Sequence, residues 1–263
     1  LNIEKIKFMN NLQEVLSVQH WTENLFSFKI SRPKDFKFKS GEFVMIGLPD
    51  DNKKPILRAY SICSPNWDEQ LEFYSIIVEN GPLTSKLRNI KAKDKIILMT
   101  KSTGTLILDA LLPGKRLFLF STGTGFAPFA SIIRDPEAYE KYERIIVTHT
   151  CRNINELSYS DLIINQCKTN EILKELICNK LVYYQTTTRE NSPYFGRITE
   201  KILNNAIFDD LSLDPMSLVT DRVMICGSIE FNNDLKKILL NQNFEEGATN
   251  KPGHFVIEKA FVG

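Results

Sequence analysis

From Arg116 to Ser121 the chain reads Arg-Leu-Phe-Leu-Phe-Ser, an almost unbroken apolar run closed at once by Thr122-Gly123-Thr124-Gly125. No other stretch limits the possible folds as much. A strand apolar on both faces must be covered on both faces, which parallel strands flanked by helices achieve. The continuation agrees with that reading. A helix is expected from about Ala127 to Arg134, a second buried strand at Ile145–Thr148, and one or two helices between Ser158 and Cys178, with Ser158 to Asp161 offering N-caps. A third strand is expected at Leu181–Thr186, a helix at Ile198–Asn205, a fourth strand at Arg222–Cys226 and a helix from about Asn232 to Asn241. Strands alternating with helices indicate an open parallel α/β sheet.

The preceding half has a different rhythm. Phe26-Ser27-Phe28-Lys29-Ile30 alternates strictly. Further short strands are expected at Glu42–Leu48, Arg58–Cys63, Leu71–Val78, Lys95–Thr100 and Thr105–Leu108, separated by turn residues such as Ser40-Gly41 and Ser64-Pro65-Asn66. Short strands with frequent turns suggest an antiparallel barrel, here six-stranded. Asn80-Gly81-Pro82 leads into a short helix through Leu87 that would cap it. The expected division is therefore 1–110 for the antiparallel β-barrel domain and 111–263 for the parallel-sheet α/β domain, whose strand-like tail Gly253–Phe261 returns toward the first.

With 263 residues there is room for two cores. A net charge of +1 gives no bulk attraction to nucleic acid or membrane, and no apolar run approaches the ~20 residues of a membrane span. Leu1–Asn11 carries charges among its apolar residues and does not read as a secretory signal. Cys63, Cys151, Cys167, Cys178 and Cys226 are odd in number and widely spaced. That argues against a disulfide framework and against an iron–sulfur module, and for a reducing cytoplasm. His20, His149 and His254 are scattered, so no metal site is expected.

Two stretches of the first half suit a large planar ligand bearing a pyrophosphate. In Arg58-Ala59-Tyr60-Ser61 a planar guanidinium can pair with phosphate, a ring can lie against a ring system, and a hydroxyl can bond a ring nitrogen. Gly81-Pro82-Leu83-Thr84-Ser85 reads as a turn and helix start, where free N–H groups favour phosphate. In the second half, Thr122–Gly125 lies where open α/β sheets bind ligands, between a strand end and a helix. It lacks the G-x-G-x-x-G fingerprint, since Pro128 stands three after Gly125. Arg152, Arg189 and Arg197 follow strand ends, and together they favour a 2′-phosphate, hence NADP over NAD. Cys226 is either a small buried hydrophobe or a thiol facing the reacting ring.

Arg58–Ser61, Gly81–Ser85, Gly123-Thr124-Gly125-Phe126-Ala127-Pro128 and Cys226-Gly227, in this order, resemble ferredoxin–NADP(+) reductase. His20-Trp21-Thr22, Ser192 to Arg197 and the ending Glu258-Lys259-Ala260-Phe261 resemble its bacterial type. The resemblance spans essentially the whole chain. It implies an enzyme with FAD in the barrel and NADP(H) in the α/β domain, passing electrons between NADPH and ferredoxin or flavodoxin. Arg58, Ala59, Pro82, Leu83 and Thr84 would hold the FAD pyrophosphate region, Tyr60 would stack on the flavin, and Ser61 would contact its N5. Tyr74, Ser75, Ile76 and Ile77 would line the flavin, and Thr124 would approach it. Arg152, Thr188, Arg189 and Arg197 would bind NADP. Ser61, Cys226 and Glu258 would be catalytic, with Cys226 by the nicotinamide and Glu258 in a proton network. Ala260 stands where many relatives stack an aromatic ring, and Phe261 would lie against the FAD adenine. His149-Thr150-Cys151-Arg152 and Ser121 also depart from the commonest forms.

Ferredoxins and flavodoxins are typically acidic. Lys34, Lys37, Lys39, Lys53, Lys54, Lys86, Arg88 and Lys259 are therefore candidates for a docking surface. A monomer is expected. The alternative reading is a free flavin reductase or an oxygenase-reductase component on the same scaffold; a non-enzymatic flavin sensor is a third.

Overall fold

The structure is a computed structural model and describes residues 11–49 and 55–258. The first half forms a six-stranded antiparallel sheet: β1 (Leu12–His20), β2 (Leu25–Ser31), β3 (Phe43–Gly47), β4 (Leu57–Ser61), β5 (Gln70–Ile76) and β6 (Lys95–Thr103), in the order β4-β3-β6-β1-β2-β5. The alternation in β2 has its expected consequence, with Phe26, Phe28 and Ile30 all turned into the core. The two edges, β4 and β5, meet through a single bridge, Ile62 to Phe73, and through Cys63 N–H donating to the Glu72 carbonyl. The sheet thus curls until its edges touch at one end without a continuous closing ladder.

Thr105–Leu108 is not a strand. Gly104 takes φ +154°, and the chain passes through a 3₁₀ turn at Leu108–Ala110. The hydroxyl of Thr105 donates to the Ile257 carbonyl of the tail at 2.7 Å. Leu106 and Ile107 are apolar because they fill the core between the two halves, and burial without a ladder produces the same residue pattern as a strand.

The second half is a five-stranded parallel sheet: β7 (Arg116–Thr122), β8 (Arg144–Cys151), β9 (Leu181–Thr187), β10 (Asp221–Cys226) and β11 (Phe255–Ile257), in the order β11-β10-β7-β8-β9. Leu117, Phe118, Leu119 and Phe120 are all fully buried. Leu117 and Leu119 pack on one side with α2 (Ala127–Ile132), α3 (Pro136–Lys141), α4 (Ser158–Thr169) and α5 (Leu173–Ile177). Phe118 and Phe120 pack on the other with α6 (Ile198–Leu203), α7 (Ala206–Asp210) and α8 (Ile229–Asn241).

Local capping explains the differences from the sequence reading. α3 arises from Asp135-Pro136, where the Asp135 side chain accepts from Glu137 N and proline fills the first turn. α8 begins at Ile229, before Asn232, because the Ser228 hydroxyl accepts from Phe231 N. α4 has no side-chain cap. It runs straight out of a 3₁₀ turn at Ile154–Leu157, and the Ser158 hydroxyl donates back to the Asn155 carbonyl.

The core between the halves is continuous. Cys63, Tyr74 and Leu106 on one side belong to the same buried cluster as Phe126, Ala130 and Tyr159 on the other. Tyr74 stacks on Tyr159 with centroids 4.2 Å apart. The buried Arg134 guanidinium donates to the Cys63 carbonyl at 2.6 Å and to the Glu72 carboxylate at 3.3 Å, and the Ser131 hydroxyl donates to the Ser64 carbonyl. These bonds fix one sheet against the other and so set the width of the cleft above them.

Candidate functional site

Where the C-terminal ends of the parallel strands face β4 and β5, an open cleft of about 1710 Å³ runs across the molecule. Arg58, Ala59, Tyr60 and Ser61 all line it. Their environments differ along the strand. The Arg58 guanidinium is exposed, and its bond is to the neighbouring Leu57 carbonyl. Tyr60 is buried apart from one edge, and its hydroxyl pairs with that of Ser75 at 3.1 Å. Burial raises its pKa, against that bond and the Arg58 charge, so the phenol stays neutral. The buried hydroxyls of Ser61 and Tyr74 lack hydrogen-bond partners among the described residues, and both residues border the cleft. A buried polar group without a partner costs roughly 1–3 kcal/mol, which a bound heteroatom recovers.

Ser75 and Ile76 also reach the cleft, but Ile77 turns into the antiparallel core. Phe43, Met45 and Leu57 line it although they carry no motif; Leu57 opens β4, and Phe43 and Met45 stand beside it on β3. Pro82, Leu83 and Thr84 stand at its rim, where α1 (Thr84–Leu87) begins. No side chain caps α1. The Thr84 hydroxyl turns back to Val78, donating to its carbonyl and accepting from its N–H. Within the first turn, Ser85 N donates to the Gly81 carbonyl and Lys86 N to the Leu83 carbonyl.

On the facing wall, Gly123–Phe126 forms a 3₁₀ turn after β7, and Thr124 looks into the cleft. A β-carbon on Gly125 would lie 2.1 Å from the Cys226 carbonyl oxygen, so only glycine lets the turn sit against the end of β10. Gly123 takes φ +51°. Its carbonyl accepts from His149 Nε2 at 2.8 Å, while His149 Nδ1 lies 2.7 Å from the Ser160 hydroxyl, which itself donates to the Leu157 carbonyl. The carbonyl can only accept, so the proton sits on Nε2. The ring stacks on Phe126. Nothing in the motif around His149 signalled this clamp, because its partners lie 26 and 11 residues away.

The clamp has a consequence for pH. Burial lowers the His149 pKa from 6.5 to about 4, with the Gly123 carbonyl pulling the other way. Between those values the unfolded chain holds a proton that the folded chain lacks. Stability should therefore fall as pH drops from 6.5 toward 4, by up to about 3 kcal/mol from this group. His149→Gln should flatten that slope, compared by urea unfolding at about pH 7 and about pH 4.5. Parallel slopes for the two proteins would remove His149 as the titrating group.

Of the four expected NADP contacts, Arg152, Thr188 and Arg197 border the cleft and Arg189 does not. Arg189 is exposed outside the wall, its backbone N–H tied to the Arg152 carbonyl. Cys226 is fully buried beneath Gly125 and Gly227 rather than in the wall. Burial, and then the charge of Glu258, raise its pKa well above the ordinary thiol value, so it is a neutral thiol and not a nucleophile. Glu258 is buried beside Gly104, its N–H donating to the Ile225 carbonyl and its carbonyl accepting from Asn232 Nδ2. Ala260 and Phe261 lie outside the described residues, as do Lys53, Lys54 and Lys259. Lys39 is paired with Asp109 at 2.7 Å.

A family model described as an oxidoreductase FAD-binding domain matches residues 11–105, and one described as an oxidoreductase NAD-binding domain matches residues 119–237. The flavodoxin/ferredoxin–NADP reductase of Rhodobacter capsulatus is 53% identical over 99% of this chain and 97% of its own length. The chain belongs to the ferredoxin–NADP reductase family. The ferredoxin–NADP reductase of Azotobacter vinelandii is 45% identical over 96% of the chain and 98% of its own. Among solved structures, a ferredoxin NADP+ reductase from Neisseria gonorrhoeae with bound FAD and NADP superposes with a TM-score of 0.85 at 29% identity, covering 95% of this chain and 98% of that one. A flavohemoglobin from Malassezia yamatoensis shares the fold alone, at 16% identity and a TM-score of 0.70.

The residues present fit both nucleotides of this reductase family. The orphaned Ser61 hydroxyl, the exposed Arg58 fork and the uncapped start of α1 suit a flavin nucleotide. The Gly123–Phe126 turn and the arginines after β8 and β9 suit a phosphorylated dinucleotide.

Proposed function

We propose that this chain transfers electrons between NADPH and ferredoxin or flavodoxin, with FAD on the antiparallel half and NADP(H) on the parallel half. One observation carries the reading: Tyr60 and Ser61 from one sheet and Thr124 from the other border the same cleft. Two nucleotides held on these walls meet in it. FAD, when bound, supplies the conversion between two-electron hydride chemistry and single-electron transfer.

The chain's residues do the holding and orienting. Arg58 and the start of α1 hold the pyrophosphate, with Ala59, Pro82, Leu83 and Thr84 shaping the strip between them. Tyr60, Tyr74, Ser75 and Ile76 form the flavin wall. The Ser61 hydroxyl donates to the flavin ring, and Thr124 limits how deep the nicotinamide sits. Arg152, Thr188 and Arg197 receive the 2′-phosphate, with Arg189 behind them. Cys226 supports the nicotinamide site from below, through the turn at Gly125. Glu258 supplies a carboxylate near Gly104. Lys34, Lys37, Lys86 and Arg88 favour an acidic carrier, and Lys39 contributes less because Asp109 offsets its charge. We place the domain boundary at 110/111 and infer a monomer in the cytoplasm. The described cysteines are all free, and no described helix is long and apolar enough to cross a membrane.

The test is a visible spectrum followed by anaerobic titration with NADPH and, separately, NADH. Flavin bands bleached readily by NADPH and poorly by NADH are expected. A chain that binds no FAD after reconstitution would overturn the reading. Ser61→Ala should keep FAD and slow NADPH-driven bleaching about tenfold, the effect of losing one hydrogen bond made in the transition state. An unchanged rate would remove Ser61 from the chemistry.

A further inference from the structure

The loop from Thr188 to Arg197 leaves Arg189 outside the cleft wall and brings Arg197 onto it, and its two ends are held differently. At the start, Thr188 N donates to the Cys151 carbonyl and Arg189 N to the Arg152 carbonyl, so the loop follows β8. At the far end, Gly196 takes φ +121° and its N–H donates to the Thr187 carbonyl at 2.8 Å. Arg197 follows immediately as the residue before α6.

Between these ends Tyr194 turns inward. Its ring stacks on that of Tyr184 in β9, with centroids 4.4 Å apart and planes within 28°. Lys201 of α6 lies over both rings, its Nζ 5.9 Å from one centroid and 6.0 Å from the other. The Tyr184 hydroxyl donates to the Asp210 carboxylate at 2.5 Å, and that carboxylate is 3.6 Å from Lys201. Tyr194 does not border the cleft. The Lys201 charge is met by Asp210 and by the two ring faces, and is not available to a phosphate. What the cluster controls is the position of Arg197. Lys201 is four residues on from Arg197, one turn of α6, and its N–H donates to the Arg197 carbonyl. Arg197 is thus bracketed by Tyr194 before it and Lys201 after it, and both rest on the Tyr184 ring.

We propose that Tyr194, stacked on Tyr184 beneath Lys201, is a positioning residue for 2′-phosphate selectivity: it holds the loop that presents Arg197 to NADP. The inference rests on the reading of Arg197 given above. A flat ring fixes position and orientation where a flexible side chain would fix neither, and misplacement of a binding group by about 1 Å is costly.

The experiment is steady-state kinetics of the FAD-loaded enzyme with NADPH and NADH, using a one-electron acceptor such as ferricyanide. It compares Tyr194→Ala, Tyr194→Phe, Arg197→Ala and the Tyr194→Ala/Arg197→Ala pair. Tyr194→Ala should raise KM for NADPH about tenfold, with kcat and the NADH constants within about twofold. Tyr194→Phe keeps the stack and should retain wild-type selectivity. In the double variant Tyr194→Ala should add almost nothing, because the group it positions is gone. Tyr194→Leu keeps apolar bulk without the flat ring and answers the question if the alanine variant does not fold. Equal losses for both nucleotides, or full additivity with Arg197→Ala, would overturn the positioning role while Arg197's own role stands. If Arg197→Ala itself fails to discriminate NADPH from NADH, the reading beneath falls and this proposal falls with it.

Discussion

Replacing Gly125 with alanine is expected to slow NADPH-driven bleaching of the flavin about 100-fold while FAD stays bound. The added methyl would lie 2.1 Å from the Cys226 carbonyl oxygen and 2.9 Å from Gly227 N. Both are backbone atoms, and neither can swing away. Cys226 is the last residue of β10, in register with Ser121 of β7 and fully buried. The side that moves is therefore the 3₁₀ turn, displaced into the cleft with Thr124 at its tip. Hydride transfer needs the reacting atoms about 3–3.5 Å apart, and an error of about 1 Å costs about two orders of magnitude. The residues proposed to hold FAD lie on the other sheet, so the flavin spectrum should survive. Stopped-flow mixing of the oxidised variant with NADPH measures the rate. A rate near wild type in a folded variant would mean the turn does not set the approach distance. Loss of FAD together with activity would mean the clash spreads through the whole molecule.

Removing Arg152 and Arg197 together should raise KM for NADPH by about 100-fold and leave NADH within about twofold. Charge-assisted bonds contribute roughly 1.5–3 kcal/mol each, and both guanidiniums are exposed, which places them at the lower end. Two such contributions make about 3 kcal/mol, close to two decades in affinity. The loss should shrink as salt is added, because exposed charges are screened over about 8–10 Å. Arg189→Ala should change KM for NADPH by less than about threefold, since Arg189 stands outside the cleft wall. Steady-state KM values with both nucleotides check both variants. Comparable losses with NADH would show that these arginines bind a part common to both dinucleotides and not the 2′-phosphate.

Elements whose causes are local were legible in the chain itself. The Leu117–Phe120 run has only one stable place, the middle of a doubly covered sheet, and it occupies that place between two helical layers. Alternation in Phe26–Ile30 determined which faces of β2 point inward. The strand at Arg58–Ser61 was readable, but which of its side chains is buried was not: Arg58 and Tyr60 share a side of the strand, yet one is exposed and the other buried.

Contacts between distant segments were decided by the tertiary structure alone. Thr105–Leu108 has strand composition, yet it pairs with no strand: the Ile107 and Leu108 carbonyls bond within the following turn, and the Thr105 hydroxyl bonds to the tail more than 150 residues away. Cys226 reads equally well as a buried or a reactive thiol, and only the seating of Gly125 and Gly227 over it makes it buried and neutral. Arg189 and Arg197 look equivalent along the chain, but backbone bonds to β8 hold one off the wall, and the Tyr184–Tyr194 stack brackets the other. His149 carried no local signal for its clamp on Gly123. Hydrophobic period, turn residues and capping act over a few residues and so can be read from them. The direction of a single side chain depends on neighbours that folding brings from elsewhere, and no local pattern contains that information.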